Sequence, residues 1–335
     1  MFVVALATSA CGAPSPPATS PPPSAADTAP REVLDYVPAA GLRWLCRAQP
    51  RRIFRDSALR ALALQVVEPD RLDAFTMLSG VDLRELESGA IAGYDLGTLY
   101  VAALAAPDGG AARARFQERL SGGAIVKQPE PSLYRIVGTR AGEARALVSV
   151  HDRLLAVGAG DPSLARVAEA YARHRLNSPT ALKGAALSAL PSAPSDALAV
   201  VYFPGPFSGE WAHGAHGLLG DATAVDVVIQ AGAEASLQVT VTLVGDWPGV
   251  DAGAALGAAA AELTTSSTGL LFGFDQMKNV RIVAHLHQLT WSGEVPAAAL
   301  VAGLRAAALA NVPEMFGEHQ DRPTGSPVKP ADPPR

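Results

Sequence analysis

Short runs of alternating apolar and polar residues mark the strands of this chain. In "GLRWLCRA", Leu42, Trp44 and Cys46 alternate with Arg43, Leu45 and Arg47, the period of a strand with one buried face. On that reading Cys46 is a small apolar filler on the buried side. "IAGYDLGTLYVAALAA" predicts two short strands or one long bent one. "SLYRIVGTRAGEARALVSVHDRLLAVGAG" predicts a three-stranded meander turning near 140–142 and 151–153. In "AVDVVIQAGAEASLQVTVTLVG", Leu237, Val239, Val241 and Leu243 alternate with Gln238, Thr240 and Thr242, so this stretch predicts a hairpin. Further strands are expected near 280–291. There Ile282, Ala284 and Leu286 fall on one face, and Arg281, Val283, His285 and His287 on the other.

Helical spacing fills the gaps. Asp56 or Ser57 can cap a helix whose Leu59, Leu62, Ala63 and Val66 share a face, and a second helix covers roughly 69–78. "AARARFQERL" predicts a charged helix stopped by Gly122 and Gly123. In "DPSLARVAEAYARH", Asp161 is an N-cap with Pro162 at the first helical position, and Leu164, Val167, Ala168 and Tyr171 form the apolar face. Asp251 caps a helix over about 251–264, and a last helix spans about 296–310. The order restarts once: "LPSAPSDALAVVYFPGPF" at 190–207 echoes "VPAAGLRWLCRAQP" at 37–50. The expectation is therefore an α+β fold of two similar modules, 33–180 and 181–316, with mainly antiparallel sheets packed against helices. A polar, Pro-rich disordered tail follows at 317–335.

The opening, "MFVVALATSACGAPSPPATSPPPSAADTAP", has a different character. Apolar residues 2–6 lead through Thr8, Ser9 and Ala10 to Cys11. This resembles the end of a bacterial lipoprotein signal peptide, in which small residues precede the cleavage point and the cysteine thiol accepts a diacylglyceryl group. The resemblance implies a signal-peptide remnant at 1–10, a lipidated Cys11, and a start upstream of Met1 that would supply the missing basic segment. Residues 11–32 then form a Pro/Ser-rich tether that favours extended polyproline II. Gly12 after the cysteine resembles lipoproteins sent to the outer membrane. More loosely, "VPAA" at 37–40, "DRLLAVGAG" at 152–160 with 161–164, and 190–193 resemble pieces of duplicated bacterial envelope proteins of unknown function.

Composition narrows the function classes. The net charge is -5 with no basic cluster, which argues against nucleic acid as a partner. No stretch after residue 11 is long and apolar enough to span a bilayer as a helix. The two cysteines, Cys11 and Cys46, could pair in an oxidising compartment, but lipidation of Cys11 leaves Cys46 alone. The G-x-S-x-G elbow of hydrolases, the H-E-x-x-H motif of zinc peptidases and a phosphate-binding loop are missing from the sequence.

Two constellations stand out. "WAHGAHGLL" holds His213 and His216, and "AHLHQ" holds His285 and His287; together they could offer four nitrogens to a metal, with Asp226 or Glu210 as carboxylates. Tyr202, Phe203, Phe207 and Trp211 form the densest aromatic cluster, either lining a recognition loop or packing between the halves. The sequence thus predicts a lipid-anchored envelope protein, non-enzymatic and without a cofactor, facing the periplasm or surface from the outer membrane. Its expected partners are the membrane and an envelope protein or lipid. The alternatives are a periplasmic carrier or receptor for a small apolar ligand, and a metal-binding protein or metal-dependent enzyme built on the four histidines.

Overall fold

The computed structural model describes residues 33–177, 194, 196–233, 235–247 and 251–316, with side chains to 306. Cys11, the tether, the 190–193 repeat element and the 317–335 tail lie outside the described residues.

The described residues open with a 3-10 turn, Val33–Tyr36, in which Val33 and Tyr36 are buried, and strand β1 (Leu42–Ala48). Three helices follow: α1 (Pro50–Arg55), α2 (Ser57–Val66) and α3 (Pro69–Ser79). The hairpin of β2 (Leu86–Tyr94) and β3 (Gly97–Leu104) leads to α4 (Gly109–Glu118). A meander, β4 (Ser121–Glu130), β5 (Leu133–Arg140), β6 (Glu143–Val150) and β7 (Leu154–Gly160), then runs into α5 (Ser163–Asn177). Further along the sequence come β8 (Ala197–Pro204), β9 (Ala222–Ala231) and β10 (Ser236–Gly245). Helices α6 (Ala252–Thr265) and α7 (Ser267–Phe272), the hairpin β11 (Lys278–His285) and β12 (Gln288–Pro296), and α8 (Ala297–Phe316) complete it.

The fold is α+β, and its described strands join into one twelve-stranded sheet in the order β11-β12-β10-β9-β8-β1-β2-β3-β7-β6-β5-β4. Every neighbouring pair is antiparallel. At its centre β1 pairs with β8, Leu45 opposite Tyr202 and Ala48 opposite Ala199. The expected separate sheets are thus a single one, because the first strand of each half offers its free edge to the other.

Local chemistry sets the helix starts. The Asp56 carboxylate accepts from the Ala58 and Leu59 amides, Asp161 from Ser163, and Asp251 from Ala254, which satisfies donors left open at a helix N-terminus. Gly80 ends α3 in the left-handed conformation, where a side chain would also meet the Ala111 backbone.

Cross-strand partners share a face, so the register traces two surfaces through the sheet. One carries Leu45, Ala92, Leu99 and Val148 in the first half, buried under α5 and the Val33–Tyr36 turn. The same face continues through Tyr202, Asp226, Thr242 and Thr290 in the second half. The reverse face carries Leu243, Trp291 and Val295, packed under α6, α7 and α8. The main helical cover therefore changes face between the halves.

Four differences from the sequence reading have local causes. A register shift between Leu42 and Trp44 moves Leu45, 2% exposed, onto the covered face and leaves Trp44 37% exposed on the other. Cys46 is half-buried, and burial pushes its thiol pKa up. Strand β4 escaped prediction because its residues are mostly exposed and Gly122, Gly123 and Pro129 interrupt the alternation. On α5 the alanines Ala165, Ala168 and Ala172 are buried with Leu164, while Val167 faces outward, since close approach to the sheet selects small residues.

Truncating Leu45, which sits between the two halves, is expected to cost about 3 kcal/mol of stability. In Leu45→Ala, hydrogen exchange resolved by peptide should show β2 and β9 losing protection together. Loss confined to β2 would mean that the β1–β8 pairing does not couple the halves.

Candidate functional site

The aromatic cluster divides at the end of β8. Tyr202 is buried with Val33, Tyr36 and Leu45, while Phe203 is half-buried on the opposite face. The chain then turns through Gly205 and Pro206, and Phe207 packs into the core of the second half beside Leu218, Leu243 and Trp291. Leu218 is held there partly because the Trp247 indole donates to its carbonyl at 2.9 Å. Trp211, in the 3-10 turn Gly209–His213, stays 67% exposed. Of the four aromatics only this one is a surface group, so the cluster does not form a single recognition loop.

The four histidines are not brought together. His213 ends the same 3-10 turn, and His216 faces Glu262 of α6 at 3.2 Å. His285 closes β11, but His287 lies in the two-residue turn before Gln288, where it approaches Asp246 at 3.9 Å. That turn removes the i, i+2 relation expected of the pair, because only His285 belongs to the strand. Asp226 lies inside the sheet and Glu210 on the loop. Among the described residues no group of three or more His, Cys, Asp or Glu side chains is placed to hold a metal.

Asp226 itself is the most unusual polar group. It is 4% exposed in the middle of β9, between Tyr202 of β8 and Thr242 of β10. Its Oδ1 has no hydrogen-bond partner. A carboxylate removed from water without a cation favours its neutral form, and burial pushes the Asp226 pKa up to about 6. Tyr202 is pushed up as well, first by burial and then by the charge of Asp226. The sequence held a signal for this group in "AVDVV", a carboxylate among valines in an alternating strand.

Two surfaces remain. On the face opposite Leu45, Trp44 of β1 and Tyr100 of β3 are both over a third exposed, with half-buried Phe203 across the join. The Trp44 ring lies across Gly93, where an added Cβ would come within 2.2 Å of the indole nitrogen. At the outer margin, every residue of β11 is exposed, among them Val280, Ile282 and Val283, and Leu286 in the turn is 87% exposed. The sequence reading divided this strand into two faces and took only the two histidines as candidate site residues; in the structure its apolar residues are exposed as well.

No protein-family profile and no curated protein matches the chain. Among solved structures, crystal form III of TP0453 aligns over 82% of this chain and 98% of that one, at 11% identity and a TM-score of 0.48. Crystal form IV of TP0453 aligns over 82% and 96%, at 10% identity and a TM-score of 0.45. Likenesses at this level carry no argument about activity.

Asp226 gives a pH test. Its folded-state pKa is raised, so the charge-dependent part of its burial cost is absent when the carboxyl is neutral in both states. The cost grows as pH rises from the unfolded value near 4 through about 6. Asp226→Asn is expected to be more stable than the parent at pH 7.5 by on the order of 3 kcal/mol, and the gain should shrink to under about 1 kcal/mol near pH 4. Urea denaturation midpoints at the two pH values check it.

Proposed function

We propose that this chain is a lipid-anchored protein of a bacterial cell envelope, with a non-enzymatic binding or structural role. The observation that carries the reading is Cys11, preceded by Thr8, Ser9 and Ala10 and followed by "GAPSPPATSPPPS". A thioether-linked diacylglyceryl group at that sulfur, with a further acyl chain, supplies enough buried methylene to hold a protein durably on a bilayer. The Pro-rich stretch sets the folded body off the surface, and the outer membrane, facing periplasm or exterior, is the compartment this reading favours.

The body is an internal duplication in this proposal. Read outward from the centre, one half runs β1-β2-β3-β7-β6 and the other β8-β9-β10-β12-β11. Helices follow β3 and β10, and a helix follows β7 and β12 in each half. The first half carries β4 and β5 in addition, and α1, α2 and α3 where the second has a 3-10 turn between β8 and β9. The echo between 37–50 and 190–207 falls at the start of each half, which supports the same division.

A second reading, a carrier for a small apolar ligand, draws support from Trp44, Tyr100 and Phe203 on one face around the join. Organic extraction of purified protein followed by mass spectrometry separates it from the first, since a stoichiometric lipid would be recovered.

Mass spectrometry of native material is expected to find Cys11 at the N-terminus with acyl and diacylglyceryl additions. Cys11→Ala should shift the protein from the membrane pellet to the soluble fraction. A bare thiol at Cys11, or a Cys11–Cys46 disulfide, would overturn the anchor.

A further inference from the structure

The two outer edges of the sheet are built differently. Strand β4 is blunted: its register with β5 shifts twice, Gly122 and Gly123 have positive φ, and Pro129 removes an amide. Strand β11 has one irregularity, between Lys278 and Arg281, and then pairs regularly with β12 from Arg281 to His285. His285 and Gln288 close a two-residue turn, and antiparallel bonding alternates along the strand. Arg281, Val283 and His285 therefore direct their backbone groups to β12, while Ile282 and Ala284 direct theirs outward.

The ionisable side chains of this edge are also of one kind. Ile282 and Ala284 lie beside Gly257 and Gly253 of α6, and Arg281, Val283 and His285 line the reverse face. The ionisable residues of the strand are Lys278, Arg281 and His285, with no carboxylate. Lys278 lies opposite Glu294, which also accepts from Asn279 at 3.2 Å. Arg281 lies opposite Ser292 and has no ion-pair partner among the described residues.

We propose that β11 is a docking edge for an extended acidic segment of a partner protein. The segment adds as a further antiparallel strand, bonds to the outward backbone groups of Ile282 and Ala284, and places carboxylates beside Arg281 and His285. Apolar residues at its alternate positions continue the surface of Val280 and Ile282. A second copy of β11 fits less well, because antiparallel self-pairing would gather two sets of like charges along one seam. This inference rests on the binding role proposed above and names its partner class; it does not depend on the anchor.

The test titrates the full chain against the labelled, end-blocked peptide Ac-EVEVEVE-NH2, with Ac-KVKVKVK-NH2 as control, by fluorescence anisotropy. The acidic peptide is expected to saturate and the basic one not to bind. Arg281→Glu should weaken binding at least about tenfold. Ile282→Pro, which removes an outward amide and leaves the β12 ladder its bonds, should abolish it. Ile125→Pro on the opposite edge should bind as the parent does, and circular dichroism confirms that each variant is folded. No saturable binding, equal binding of the basic peptide, or undiminished binding in either β11 variant would overturn the proposal. A dimer of the parent chain that these same variants dissolve would also overturn it, by giving the edge to a second copy. Failure here with a lipidated Cys11 removes only the partner class, whereas a bare Cys11 removes the anchor and leaves the peptide result standing.

Discussion

The pairing of β1 with β8 is the contact on which the architecture depends. Each is the first strand of its half, and each would otherwise present a row of unpaired amides and carbonyls at the centre of the molecule. Their antiparallel union satisfies both rows and fuses the two halves into one sheet. It also fixes which side chains face which layer, because a one-residue slip here would invert every residue of one half relative to the other. Leu45, Tyr202 and the Val33–Tyr36 turn lock the register from one side, where they are buried together.

That register has a cost in the second half. The face that buries Leu45, Leu99 and Val148 under α5 continues into Asp226, Thr242 and Thr290, away from α6, α7 and α8. A carboxylate on this face near the join sits deep enough to lose water and gains no cation in return. Asp226 is thus a consequence of the switch in helical cover. The apolar core provides the stability, and this one group opposes it at neutral pH.

Much of this was legible in the chain. The caps at Asp56, Asp161 and Asp251, the meander at 133–160 and the hairpin at 222–245 follow from local spacing, because each depends on residues a few positions apart. What was not legible depends on distant contacts. The shift at Leu42/Trp44 reverses a clean alternation because β2 holds the other end of the register. The choice of Ala165 over Val167 for the buried side of α5 follows from how closely the helix approaches the sheet. The four histidines failed as a site for a simpler reason: the strand ends at His285, two positions earlier than the alternation suggests, and His287 falls in the turn.

The same argument about edges reaches outward. A sheet that closes its inner edges on each other still has two left, and they are treated unequally. Glycines, a proline and broken register make β4 a poor template for another strand. On β11 the register is regular where Val283 and Ile282 are exposed, and the protection is charge alone. Charge excludes cationic and self-identical strands while attracting anionic ones, so it selects among partners where a proline would refuse them all. The blunted edge reads as protection and the charged edge as discrimination, and discrimination has a use only where something is meant to bind.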